Sequence, residues 1–208
     1  MSLAFVFPGQ GSQSPGMLAA LAAAEPVVEE TFAEASAVLG YDLWRLCQQG
    51  PEAELGSTEK TQPAMLAGGV AVWRAWRHHD GPRPVAMAGH SLGEYTALVC
   101  SGAIDFAAAI DLVRFRGQVM QQAVPLGQGA MAAILGLEDD ALAAACREAE
   151  QGEVVEPVNF NAPGQVVIAG HASAVARAID MAKARGAKRA VLLPVSVPSH
   201  SRLMLGAA

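Results

Sequence analysis

The sequence predicts an α/β protein, a parallel-sheet core carrying an inserted ferredoxin-like unit. Three observations predict it. Short apolar runs that stop at glycine or proline alternate with amphipathic helical stretches, the order of a parallel sheet with crossover helices. Beyond residue 128 the order of elements becomes β-α-β-β-α-β, that of a ferredoxin-like unit. Between an apolar run and a helix stands Gly89-His90-Ser91-Leu92-Gly93, and G-x-S-x-G demands that strand-to-helix setting.

Taken in order, Leu3 to Phe7 reads as a buried strand that stops at Pro8-Gly9. Val28, Phe32, Ala35 and Leu39 recur at helical spacing and predict a helix over 27–39, with Gly40 as its stop. A second helix is expected after Pro63, with Met65, Gly69, Val72, Trp73 and Trp76 on one face. Val85 to Ala88 predicts the next buried strand, followed by the Ser91 turn and a helix through Tyr95, Leu98 and Val99. Phe106, Ile110, Val113, Gly117 and Met120 mark the apolar stripe of a helix over about 106–122. Strands are then expected at 129–135, 154–160, 165–169 and 190–193, with helices at 138–150 and 172–185. Asn161-Ala162-Pro163-Gly164 reads as the turn between the middle two strands. Val195-Ser196-Val197 is expected to return to the first domain. Residues 1–126 with 195–208 would then form the core, and 127–194 the subdomain.

Composition narrows the function classes. A chain of 208 residues can bury a core without staples, and 52% apolar residues argue against disorder. Fourteen Lys and Arg against 20 Asp and Glu give a net charge of −6, which argues against a nucleic-acid or membrane-surface partner. No apolar run reaches membrane-spanning length, and the N-terminus has no basic signal region. Cys47, Cys100 and Cys146 lack C-x-x-C spacing, so neither a disulfide framework nor a metal site is expected, and the cytoplasm is the expected address.

Chemistry concentrates at few positions. In G-x-S-x-G the flanking glycines permit a sharp turn that lifts the Ser91 hydroxyl into the open, and the Leu92 amide at a helix N-terminus can stabilise an oxyanion. The alternative is an ordinary glycine-rich turn. A serine nucleophile needs a base, and five histidines are available. His78 and His79 close a charged helix, His171 opens one, and His90 is expected to support the elbow. His200, in a loop after a strand signal, is the candidate base; a polar loop residue is the alternative. Arg116 sits at the edge of an apolar stripe, where it either snorkels to solvent or waits half-buried for a carboxylate. Gly9-Gln10-Gly11 can bring backbone amides to a ligand, but it lacks the third glycine of a dinucleotide fingerprint and the lysine of a P-loop. Lys183, Arg185, Lys188 and Arg189 form the densest basic cluster, either a docking patch for an acidic partner or cations offsetting a helix dipole.

Phe7-Pro8-Gly9-Gln10-Gly11-Ser12-Gln13, Gly89 to Tyr95, Arg116-Gly117, Val158 to Gln165 and Val197-Pro198-Ser199-His200 stand in one order. Together they resemble the malonyl-CoA:acyl carrier protein transacylases of bacterial fatty-acid synthesis, and more distantly the acyltransferase domains of polyketide synthases. The resemblance implies a hydrolase-like core with a ferredoxin-like subdomain. It implies Ser91 as nucleophile, His200 as base, and Arg116 as partner of the malonyl carboxylate. The amides of Gln10 and Leu92 would form the oxyanion hole, with Gln62, His90 and Asn161 near the pocket. It further implies no bound cofactor, a coenzyme A thioester as substrate, acyl carrier protein as partner, and a monomer. Family members continue beyond the catalytic histidine, so the resemblance places the C-terminal part of the family fold, with the glutamine carbonyl that orients that histidine, beyond Ala208; Glu94 and Asp105 match no such role. Two rivals stand beside it: a serine thioesterase or hydrolase delivering the acyl group to water, and a fragment that only docks acyl carrier protein.

Overall fold

The computed structural model describes residues 2–195 and 197–207. The chain divides by its internal contacts into two compact units, 1–118 and 119–208. Ser196, in the segment expected to return to the first domain, lies outside the described residues.

The first unit contains β1 (Ala4–Phe7), α1 (Ala19–Ala22), α2 (Val27–Leu39), α3 (Leu43–Gln49), α4 (Glu52–Leu55), α5 (Thr58–His78), β2 (Ala86–Gly89), α6 (Gly93–Ser101) and the start of α7 (Phe106–Ala123). β1 and β2 pair in parallel, Ala4 opposite Ala86 and Phe7 opposite Gly89. Helix α2 follows its predicted stripe: Val28, Phe32, Ala35 and Leu39 are buried, and Gly40 ends it at φ 76°. The stripe of α7 is also as expected, with Phe106, Ile110, Val113, Gly117 and Met120 all buried. Asp105 caps α7 by accepting from the Ala108 amide at 3.0 Å.

Three expectations are corrected here. Helix α5 begins at Thr58, ahead of Pro63, which lies inside it. Proline already holds a helical φ and forgoes one hydrogen bond, while burial of Thr58, Thr61 and Gln62 fixes the turn before it. The buried face of α5 carries Leu66, Ala67, Val70 and Ala71, whereas Val72 and Trp76 are 40% and 37% exposed. Residues 63–73 are an unbroken run of apolar residues and glycine, so spacing there could not rank the faces; Trp73 and Trp76 instead meet the Phe5 ring, with centroids 5.3 and 5.7 Å away. The strands are not buried runs either. Val6 is 79% and Val85 76% exposed, and no residue of β2 is fully buried. Phe5 and Phe7 turn to the helices while Val6 turns away, the period-two alternation of a sheet covered on one face.

The second unit reproduces the predicted order: β3 (Gly129–Leu135), α8 (Asp139–Glu150), β4 (Val155–Ala162), β5 (Gln165–His171), α9 (Ala172–Ala184) and β6 (Arg189–Leu192). The sheet is antiparallel in the order β4-β5-β3-β6, the ferredoxin-like arrangement. Strand β5 shows why it holds: Val166 and Ile168 pack with Leu142 and Val175, while Val167 and Ala169 pack with Met131 on the other side. The β4–β5 turn is Pro163-Gly164, with Gly164 at φ 68°. A 3₁₀ segment, Arg202–Ala207, places Met204 against Met120, Val124 and Val197.

No helix among the described residues is long and apolar enough to cross a membrane. All three cysteines are buried, and burial pushes each thiol up to about 12, so they are unreactive.

The core of the first unit should depend on Phe32, which is fully buried and lies 4.9 Å from the Trp44 ring. Phe32→Ala is expected to cost about 3–5 kcal/mol and Phe32→Leu clearly less. Urea denaturation followed by tryptophan fluorescence measures both, and equal midpoints for wild type and Phe32→Ala would contradict the packing described.

Candidate active site

The serine turn is built by backbone meeting backbone. After Phe7 and Gly89 pair, the His90 amide donates to Phe7 O at 3.0 Å, carrying the strand contact one residue further. The chain then reverses at Ser91, whose φ is 52°, a left-handed value costly for any residue with a Cβ. A Cβ on Gly89 would lie 1.9 Å from Gly93 C, and one on Gly93 would lie 2.2 Å from Phe7 O. Only glycine fits either place. Leu92 is 1% exposed, so its side chain anchors the turn in the core while the serine before it stays partly open.

The loop after β1 lies directly on this turn. A Cβ on Gly9 would stand 2.7 Å from the His90 carbonyl oxygen. The next residue, Gln10, is tethered by its side chain, whose Nε2 donates to Thr58 Oγ1 at 3.2 Å. Among the described residues the Gln10 and Leu92 amides donate to no protein acceptor. Helix α6 begins one residue after Leu92, so its partial positive end faces the same turn.

Arg116 reaches the turn from α7. Its Nη2 donates to Ser91 Oγ at 3.3 Å and its Nη1 to Gln62 Oε1 at 2.8 Å. Its guanidinium carbon lies 5.7 Å from the centroid of the Tyr95 ring. Gly117 permits this approach, because a Cβ there would lie 2.7 Å from Glu59 Cα and 2.8 Å from Thr58 O. Burial lowers the Arg116 pKa from its ordinary value, and Tyr95 acts the other way. No ion pair among the described residues includes Arg116. A half-buried cation with neutral partners can take up a carboxylate beside that hydroxyl.

Ser91, Leu92, Gln10, Gln62 and Arg116 thus come together in the first unit. His90 is there too, exposed and beside Gly9. Sequence reasoning missed Tyr95 and Thr58 as part of this cluster. Tyr95 had a signal, one helical turn after Ser91; Thr58, far away in sequence, had none.

His200 and Asn161 belong to the second unit. His200 is exposed, at φ 65°, in a turn where Ser201 Oγ donates to Pro198 O at 2.7 Å. Asn161 is exposed near the end of β4. Lys183, Lys188 and Arg189 are exposed, while Arg185 pairs with Glu148 at 2.5 Å. His171 is the residue before α9, and its Nδ1 accepts from the Val154 amide at 2.9 Å. A groove of about 650 Å³ runs along β2 and α6, lined by Trp73, Met87, Glu94 and Leu98 among others, and its lining includes neither Ser91 nor Arg116.

Residues 4–208 match the model of a family described as acyl transferase domain. The chain is 66% identical over 205 residues to the malonyl CoA-acyl carrier protein transacylase of Escherichia coli K12, covering 99% of this chain and 66% of that protein. A solved structure of a type II PKS acyl-carrier protein in complex with its malonyl-transacylase is similar at 63% identity and a TM-score of 0.97, covering 100% of this chain and 67% of that one. An acyl carrier protein S-malonyltransferase from Vibrio cholerae is similar at 63% identity and a TM-score of 0.93, covering 100% of this chain and 68% of that one. The chain spans about 66% of the length of the curated relatives it matches.

The turn geometry yields a direct check. Gly93→Ala places a methyl group 2.2 Å from Phe7 O and must move the β1 end or the turn. Labelling of Ser91 by a fluorophosphonate should fall at least about tenfold while far-ultraviolet circular dichroism keeps the helical signal of the wild type. Unchanged labelling would mean that the close approach of the two strand ends does not set the serine.

Proposed function

This chain belongs to the acyl transferase domain family, and on that premise we propose that it carries the serine site of a malonyl-CoA:acyl carrier protein transacylase. The observation that carries this reading is the Arg116 guanidinium, held by neutral partners with its Nη2 3.3 Å from Ser91 Oγ. A malonyl group presents a free carboxylate a few bonds from its thioester carbonyl. A cation beside the nucleophile selects such a group and orients it.

In the proposed mechanism malonyl-CoA docks with its carboxylate on Arg116, and Gln62 keeps the guanidinium in place. His200 takes the Ser91 proton as Oγ attacks the thioester carbonyl. The oxyanion is stabilised by the amides of Gln10 and Leu92 at the start of α6. The C–S bond breaks, and coenzyme A leaves as a thiol carrying the proton from His200. The phosphopantetheine thiol of acyl carrier protein then gives its proton to His200 and attacks the malonyl-serine, and Ser91 recovers a proton as it leaves. No bound cofactor is required. Asn161 and His90 complete the pocket in this reading, with 1–126 and 195–208 as the transferase core and 127–194 as the ferredoxin-like subdomain. Lys183, Lys188 and Arg189, with Arg185 partly neutralised, offer an acidic carrier protein a basic surface. The setting is the cytoplasm, and the working form is a monomer.

Intact mass after mixing with malonyl-CoA tests the nucleophile. Wild-type protein should gain one malonyl group, and Ser91→Ala none, with transfer reduced on the order of 10⁴–10⁶-fold. A malonyl group on the alanine variant would place the nucleophile elsewhere, and release of malonate without carrier protein at the transfer rate would favour the hydrolase.

Arg116→Ala separates recognition from chemistry. Loss of one partner of a desolvated charge pair costs roughly 2–5 kcal/mol, so malonyl transfer should fall about 30- to 3,000-fold. Acetyl transfer, with no carboxylate to hold, should persist or rise. Equal losses for both acyl groups would make Arg116 a packing residue.

A further inference from the structure

The far end of α5 brings together three side chains that the serine site does not use. Glu25 lies between α1 and α2, where its amide donates to Leu21 O at 2.8 Å and its carbonyl accepts from Val28 N at 3.0 Å. Both sides of that junction are therefore fixed. His78 is the last residue of α5, and His79 follows it with its amide on Ala75 O at 3.3 Å. Glu25 Oε1 is 2.5 Å from His79 Nε2, and Oε2 is 3.3 Å from His78 Nδ1. The carboxylate side chain is 13% exposed, whereas the imidazoles are 67% and 68% exposed. A shielded, backbone-fixed acid thus faces two open rings, and the three ligand atoms all lie within 4.8 Å of one another.

Without a metal each neutral ring can donate one N–H to a carboxylate oxygen, and exposed contacts of this kind are worth little. A divalent metal does better. It binds both rings in their neutral form and neutralises the carboxylate at once. Ligand bonds of about 2.0–2.2 Å put neighbouring donors of a tetrahedral site about 3.3–3.5 Å apart; the two carboxylate–imidazole separations here are 2.5 and 3.3 Å, and all three ligand atoms lie within 4.8 Å. The end of α5 also favours a cation, because the last carbonyls of a 21-residue helix carry its partial negative charge. Arg77, the other cation of that turn, is directed elsewhere, to Gly81 O and to the Trp73 ring.

We propose that Glu25, His78 and His79 form a binding site for a zinc-class divalent transition metal, with water completing the coordination. Two imidazoles and one carboxylate suit zinc, nickel or copper rather than magnesium or calcium, which take oxygen ligands. The metal ties the α1–α2 junction to the end of α5. It therefore stabilises the first unit by binding the folded chain alone.

The test is a Zn²⁺ titration of the 208-residue protein, purified without a histidine tag and stripped with a chelator, in competition with a chromophoric chelator. One ion per chain at micromolar affinity and a raised Tm are expected, with no competition from millimolar Mg²⁺. Affinity should fall at least about tenfold in Glu25→Gln and in His79→Gln, and the zinc-dependent Tm rise should vanish in His78→Gln with His79→Gln. The histidines are exposed, so these variants keep the fold, which circular dichroism verifies. Absence of stoichiometric binding, or affinity unchanged in the double variant, overturns the site.

Discussion

Everything at the serine turn depends on two stretches of backbone coming closer than side chains allow. Phe7 to Gly9 and Gly89 to Gly93 meet along the continuation of the β1–β2 pairing, with His90 N bonded to Phe7 O and Gly93 pressed against that same oxygen. Ser91 is held at a positive φ because its neighbours on both sides are already committed, Gly89 to the strand and Leu92 to the core. The contact also explains why a glycine-rich loop without any nucleotide fingerprint matters. Its role is proximity: it sets the Gln10 amide beside the turn.

The second feature of the site is electrostatic. Several other arginines meet carboxylates: Arg74 with Glu34, Arg177 with Glu153, Arg202 with Glu150. Arg116 is more buried than an exposed snorkelling residue, yet its partners are an amide, a hydroxyl and a ring. Desolvating a cation without an anion is unfavourable, so the first unit carries a local cost at the position proposed to receive substrate charge. Gln62 makes that cost tolerable, fully buried on α5 and accepting from the guanidinium.

Legibility in the sequence followed how local each signal was. The G-x-S-x-G turn could be read because steric demand forces glycine at fixed positions, and the second unit because its strands are short apolar runs between turn residues and its helices have clear stripes. Arg116 was visible as a charge on the wrong edge of a stripe, though sequence left its two readings open. The start and inner face of α5 were hidden, since a proline suggested a boundary and an unbroken apolar run has no preferred side. Thr58 and the Glu25–His78–His79 cluster were out of reach for a different reason. Their partners are 48 residues or more away, and only the packing of α5 brings them together.

The alternation along β1 also decides which of its residues can change without disturbing the serine turn. Only four residues long each, β1 and β2 form a two-stranded sheet whose outward face carries Val6, Ala86 and Ala88. Each strand also presents an outer edge with no neighbouring strand among the described residues. A polar side chain in place of Val6, which is 79% exposed, would leave Phe5 and Phe7 on their helices and the Phe7 carbonyl on the His90 amide.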